Sequence, residues 1–251
     1  MIIMKILPLL YGGILLLSLG CSYVKTEAAK DNRAKTHWST ARRDSANLAP
    51  NPVTEASSAI IQVYTAPTYG WRGVFAVHPW IIYKRAGETR FTRYEVIGWG
   101  GSSTVRRDYA VPDGYWFGAK PTRIAHLQGE QAAALIAKIE AAIQSYPYPE
   151  TYHAWPGPNS NTFLAHIGRA VPELNLDLPA NAIGKDYRSV AQPIGLPPSG
   201  SGLQVSVLGV WGFILSKEEG IELNVLGLNL GVDVASPALR LPFIGRIGTD
   251  S

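Results

Sequence analysis

The chain has 251 residues, 46% of them apolar, enough for one sizeable core or for one domain with a small appendage. Charged residues make up only 17%, which excludes a disordered chain. Twenty-three Lys and Arg against 19 Asp and Glu leave a net charge of +4, scattered without a run; that excludes a nucleic-acid footprint and leaves mild attraction to anionic surfaces.

In chain order, Lys5 precedes an apolar stretch, Ile6 to Leu19, interrupted by Pro8, Gly12 and Gly13 and ending in Leu17-Ser18-Leu19-Gly20-Cys21. Cys21 is the single cysteine, so no intrachain disulfide can form. This stretch resembles a bacterial lipoprotein signal with its lipobox. The resemblance implies a signal peptide over residues 1–20, cleavage before Cys21 and lipid on the Cys21 sulfur and amine. The partner would then be a lipid bilayer. Ser22 after the cysteine implies the outer membrane, with the body facing the periplasm. The alternative is an uncleaved anchor, for which the apolar part is short against ~30 Å of hydrocarbon.

Residues 21–57 are predicted to be a flexible tether, because Ala, Lys, Asp, Arg, Ser and Pro dominate and no apolar face is visible. Ile60 to Tyr64 reads as a strand, and Trp71 to His78 as a second, interrupted by Pro79 and continued by Trp80 to Tyr83. A proline inside a strand points to an edge or a bulge. Arg85 to Thr89 makes a hairpin turn, and Phe91 to Trp99 returns with Arg93, Glu95 and Ile97 on one face. The segment to Arg123 is aromatic and irregular. Gly129 to Ser145 is the clearest helix: Ala132, Leu135, Ile136, Ile139, Ala142 and Ile143 form one apolar stripe, assigned to core.

Residues 152–174 hold the candidate chemistry. Pro156-Gly157-Pro158 forbids regular structure, and Asn159, Ser160 and Asn161 are each good N-cap residues. Phe163, Leu164, Ile167 and Val171 then recur at helical spacing until Pro172 ends the helix. Ser160 therefore stands at or beside a helix N-terminus, where free N–H groups and the dipole favour developing negative charge. Its plain role there is to cap; its chemical role is nucleophile beside an oxyanion hole. Residues 181–251 are predicted to be a loop and a C-terminal β extension: Leu203 to Leu215 and Ile221 to Val232 as a hairpin turned by Ser216 to Gly220 and packed on the main body. Pro242 to Gly248 reads as a final turn, and no repeat of fixed period is expected.

His78-Pro-Trp-Ile-Ile-Tyr, then Tyr94-Glu-Val-Ile-Gly-Trp-Gly, then Asn159-Ser-Asn-Thr-Phe, resemble in that order the circularly permuted papain-like families: PPPDE peptidases, the lecithin–retinol acyltransferase family and NlpC-like bacterial lipoproteins. The resemblance implies an α+β permuted papain-like domain over residues 58–180. Matched residue by residue, His78 falls at the base, Glu95 at the residue that orients it and Ser160 at the nucleophile, with Asn159, Asn161 and Phe163 in the flanking pattern; Asn159 and Asn161, and separately His153 before the turn, are the candidates for oxyanion or substrate contacts. The families use Cys where this chain has Ser160. The site is then either an active serine variant, a hydrolase or acyltransferase on a peptidoglycan peptide or a lipid ester, or a degenerate cleft in a non-catalytic binding or scaffold lipoprotein. His153 also reads as a plain exposed or structural histidine. His166 lies six residues past Ser160, turned about 240° away, and is set aside. No cofactor and no metal are called for, since no HExxH or paired-Cys signature supports a His78–Glu95–His153 metal site. Trp71, Trp80, Trp99, Trp116 and Trp155 read as core and cleft wall, or as an aromatic groove for a glycan or acyl chain. Pro172-Glu-Leu, Ala182-Ile-Gly-Lys-Asp-Tyr and Glu219-Gly-Ile-Glu-Leu further resemble a bacterial family of unknown function, number 3750, which brings no activity with it.

Overall fold

The computed structural model of the protein describes residues 2–28 and 37–249. The architecture is α+β, with two antiparallel sheets and few helices. The first sheet holds β1 (Ile60–Pro67), β2 (Val77–Lys84), β3 (Thr92–Val96), β4 (Val105–Arg107) and β5 (Thr122–Gln128) in the order β4-β3-β2-β1-β5. β1 and β2 lie at its centre, and alternation splits their side chains between two cores. Ile61, Val63, Val77, Ile81 and Tyr83 pack under the long helices. Tyr64, Trp80, Ile82 and Ile97 pack with Trp116 on the opposite face.

Those helices follow α1 (Ile2–Ala28) in the chain: α2 (Glu130–Gln144) and α3 (Ser160–Ala170). The stripe expected on α2 is the one buried, from Ala132 to Ile143. The strand expected over Trp71 to His78 is not formed. Gly70, at φ 68°, opens a 3-10 turn over Gly70–Val74 that leaves Trp71 exposed, and β2 starts only at Val77. From there β2 runs unbroken through Pro79. That residue pairs with Thr65 of β1, but the β3 ladder begins only at Ile81, so Pro79 stands where the strand has one neighbour, as at an edge.

The tether is corrected over residues 37–57, which are ordered against the body. The buried Asp113 carboxylate accepts from Ser45 Oγ at 2.7 Å and from the backbone N–H groups of Leu48 at 2.7 Å and Ala49 at 3.0 Å. Ser45 bridges Gly114, and Ala41 is buried. One carboxylate orders a polar segment with hydrogen bonds, which an apolar-face criterion misses. Residues 29–36 of the expected tether lie outside the described residues, and 21–28 continue α1. Cys21 is exposed on that helix, one residue before Ser22, whose Oγ donates to Val74 O at 2.7 Å. Among the described residues no helix is long and apolar enough to cross a membrane.

The C-terminal hairpin is corrected to a seven-stranded antiparallel meander: β6 (Ile194–Gly195), β7 (Leu203–Val207), β8 (Trp211–Leu215), β9 (Ile221–Val225), β10 (Leu228–Asp233), β11 (Ala238–Leu241) and β12 (Gly245–Gly248). Each long strand expected there is folded in two. Leu208-Gly209 and Leu226-Gly227 turn at positive φ (54° and 69°, 56° and 79°), the geometry that tight hairpins need. Val207-Leu-Gly-Val and Val225-Leu-Gly-Leu recur at a spacing of 226 − 208 = 18 residues, a short internal repeat. The inward face is ionic: Lys185 Nζ meets Glu222 at 2.6 Å, Arg240 meets Asp177 at 2.5 Å and also Glu222, and Asp186 accepts from Asn224 at 2.9 Å and Asn229 at 2.8 Å.

Candidate active site

The start of α3 is built by its N-cap. Asn159 is extended, and its Oδ1 accepts from the N–H groups of Asn161 at 2.9 Å and Thr162 at 3.2 Å. Thr162 Oγ1 accepts from Asn159 N at 3.1 Å, closing a capping box, and donates to Gly184 O at 2.7 Å. Gly184 sits at φ 97°, and a Cβ there would fall 2.4 Å from Asn159 Nδ2, so glycine is required for this approach. Asn159 Nδ2 donates to Ala154 O at 3.2 Å and Ile183 O at 3.0 Å. The packing around α3 thus extends past residue 180, the boundary expected for this domain.

These bonds bear on the oxyanion half of the role expected for Asn159 and Asn161. Asn159 has no donor left for an oxyanion. Asn161 Nδ2 donates to Val77 O at 3.1 Å and Ile183 O at 2.8 Å, tying α3 to the start of β2, so it has none either. Asn161 Oδ1 is buried without a partner among the described residues and is an acceptor only. The one N–H at the helix start left without a partner among the described residues is that of Ser160.

His78 is 3% exposed at the start of β2, and its Nε2 lies 2.8 Å from Glu95 Oε2. Glu95, on β3, is fully buried and is gripped by Arg93 two residues earlier on the same face, with Nε at 2.7 Å and Nη2 at 3.0 Å. Arg93 also donates to Val111 O at 2.6 Å and lies 4.1 Å over the Trp80 ring. Burial pushes the Glu95 carboxyl up, but the charge of Arg93 and the bond from His78 outweigh it and hold Glu95 below the ordinary carboxylate range. An ionised carboxylate only accepts, so the hydrogen between the pair sits on His78 Nε2. Nδ1 is then the basic nitrogen. Burial pushes the imidazole below its ordinary pKa, Glu95 opposes that, and Arg93 adds to it, so His78 is neutral at pH 7. Its ring stacks on Trp116 at 3.8 Å and 11°.

His78, Ser160, Asn159 and Asn161 border one cleft of about 830 Å³, walled mainly by aromatic rings that include Trp71, Trp99, Trp116 and Trp155. Trp80 lies in the buried core behind it. Among the described residues no hydrogen bond joins His78 to Ser160. Tyr152 lies beside Ser160: burial raises its phenol pKa, and the Ser160 hydroxyl and Arg72 oppose that. His153 is exposed and does not border the cleft; its backbone N–H donates to Pro158 O at 2.8 Å. Its place outside the cleft gives the expected substrate contact no support. Among the described residues no group of three His, Cys, Asp or Glu is placed to hold a metal.

Arg93 and Tyr152 have no chemical role in the sequence reading above, and Trp116 is read there as core, cleft wall or groove and not as the stacking partner of His78. Arg93 had a signal, since residues two apart in a strand share a face and a buried anion needs a cation. Trp116 and Tyr152 lie in irregular segments whose partners only tertiary structure supplies.

A family model described as a protein of unknown function (DUF3750) matches residues 58–187, a span that includes His78, Arg93, Glu95 and the whole capping box. No curated protein and no solved structure matches the chain.

Proposed function

We propose that this chain, which belongs to the DUF3750 family, is an envelope lipoprotein that hydrolyses or transfers an acyl group, acting on an amide or ester through Ser160, His78 and Glu95. The family's description names no activity, so the reading rests on the site. One observation carries it: the Glu95 bond to Nε2 leaves Nδ1 as the basic nitrogen of His78, a residue that borders the same cleft as Ser160. In the reaction His78 Nδ1 takes the Ser160 proton as Oγ bonds to the carbonyl carbon. The oxyanion is held by the Ser160 N–H, and Glu95 steadies the imidazolium. Collapse of the intermediate breaks the bond to the leaving amine or alcohol, which takes the proton from His78. Water or an acceptor hydroxyl then releases the acyl group by the same steps. Ser160 Oγ must close on Nδ1 when substrate binds, because catalytic hydrogen bonds are commonly loose without it.

The order of base, orienting acid and helix-start nucleophile supports a permuted papain-like identity for the domain. The Leu17 to Cys21 lipobox supports lipid anchoring at the outer membrane, facing the periplasm. The aromatic wall suits an acyl chain or a peptidoglycan fragment. A second reading, a cleft that binds without cleaving, is favoured by the missing Ser160–His78 hydrogen bond. A fluorophosphonate probe separates them: wild type labels, and Ser160→Ala and His78→Ala do not. An unlabelled wild type whose cleft still binds ligand leaves the second reading standing. Incorporation of labelled palmitate that is lost in Cys21→Ala tests the anchor.

A further inference from the structure

The C-terminal sheet is built inside out. Apart from Ile214 and glycines, its inward positions are polar and include Gln204, Ser206, Glu222, Asn224, Asn229, Asp233 and Arg240, all buried. Its outward positions are apolar. Following the pairings strand by strand, Leu203, Leu215, Ile221, Val232, Leu239 and Ile247 form one unbroken row across six strands, from β7 to β12. A second row, Val205, Phe213, Leu223 and Leu230, runs beside it across four. Trp211 stands beyond, 51% exposed. No charged side chain occupies an outward position within either row.

At their fractional exposures, and with side chains of order 200 Å² each, the exposed members of this face leave on the order of 900 Å² of apolar surface. A monomer's largest patch is typically about 300–600 Å², whereas a stable complex hides about 800 Å² on each partner. This face alone meets that need. A lipid surface fits it less well, since membrane-surface elements carry cationic flanks. The Ser216–Gly220 turn at the margin offers Lys217 beside Glu218, and no cationic rim.

We propose that the occupant is a second copy of this chain. Two such faces pack sheet on sheet about a two-fold axis, with Phe213 and Leu223 near the centre and strands aligned as in a β-sandwich. The same surface is used on both copies, so the assembly closes at two. The ionic inward faces then lie on the outer sides of the double layer, each against its own body.

The test places a photo-reactive phenylalanine analogue at Phe213 of the full chain, expressed as two differently tagged copies in one cell. Irradiation is expected to give a band of twice the chain mass carrying both tags. The band is absent when the analogue replaces the exposed Lys120, and it falls at least tenfold when Leu223→Glu is added. Fluorophosphonate labelling or circular dichroism shows that the Leu223→Glu chain still folds. A cross-link to lipid alone, to a different protein, or to nothing overturns the proposal.

Discussion

Arg93→Met tests the reading of the site most directly. The substitution keeps the apolar stem of the side chain and removes the guanidinium that lies over Trp80, at a position only 1% exposed. Glu95, fully buried, is left as an anion with His78 as its remaining partner. Removing one member of a buried ion pair costs about 3–5 kcal/mol, because the other charge remains out of water. In a chain of this size each kcal/mol moves Tm by about 2–4 °C, so a fall of about 6–20 °C is expected. Glu95→Gln should cost a similar amount by stranding Arg93. The double variant carries no stranded charge, so urea unfolding of the four proteins at pH 7 should show a coupling above about 2 kcal/mol. The pH dependence has a definite sign. In wild type the lowered Glu95 pKa contributes stability above the unfolded value, and this is lost as pH falls through the folded value. Without Arg93 the carboxyl pKa rises, so the deficit against wild type shrinks in acid. A loss below about 1 kcal/mol, or additive single losses, would mean that water reaches the pair. The argument that fixes the proton on Nε2 would then fall.

Ser160→Ala should abolish fluorophosphonate labelling and cost only about 1 kcal/mol in urea, the net worth of one side-chain hydrogen bond, because the helix start uses its N–H while its hydroxyl meets the Tyr152 phenol. Ser160→Cys should react with iodoacetamide near neutral pH, in proportion to His78 acting as base, and adding His78→Ala should slow that reaction at least tenfold. The labelling rate should fall as pH drops through a midpoint below 6.5, since burial lowers the His78 pKa and only the neutral ring accepts a proton; a midpoint above 6.5 contradicts this. The stability that His78 contributes follows the same direction, present above the unfolded value and lost on acidification. Asn159→Ala removes a cap worth about 1 kcal/mol and leaves buried carbonyls short of a donor, for a total of about 2–4 kcal/mol by urea unfolding.

The α2 stripe and the start and stop of α3 were legible in the sequence, because apolar spacing and capping chemistry are local. So was the pairing of His78 with Glu95, through the resemblance. The Trp71 to His78 strand was misread because a run of apolar and aromatic residues carries no mark for a 3-10 turn, and Gly70 alone supplies the bend. The segment 37–57 escaped because its order depends on Asp113, far along the chain. The C-terminal sheet was misread differently. Alternation at Ile221, Leu223 and Val225 was correctly taken for a strand, but periodicity says which residues are apolar and not which face turns inward. Lys185, Asp186 and Asp177 lie outside the strands and draw the polar face in. Nothing within β9 reveals that.

At the start of α3, three consecutive residues divide three tasks. Asn159 takes the N–H groups of Asn161 and Thr162 and gives its own donors to Ala154 O and Ile183 O. Asn161 bridges to the backbone at Val77, one residue before His78, so it sets the separation between the helix and the imidazole. Both asparagines are committed to structure, and for that reason Ser160 is not. Had the cap been a serine, a shorter acceptor would satisfy one N–H where Asn159 satisfies two, and the helix start would hold more than one free donor. The unclaimed amide is therefore a product of the cap, and it falls on the one residue of the three that carries a hydroxyl, which lies beside the Tyr152 phenol and not in the cap. Hence Asn161→Ala should lower labelling without removing any reacting atom, by letting α3 shift against β2. Asn161→Asp keeps the shape but loses both donors, so it should fail in the same way. If Asn161→Ala labels at the wild-type rate, the tie to Val77 does not position the site, and the separation of Ser160 from His78 must be set elsewhere.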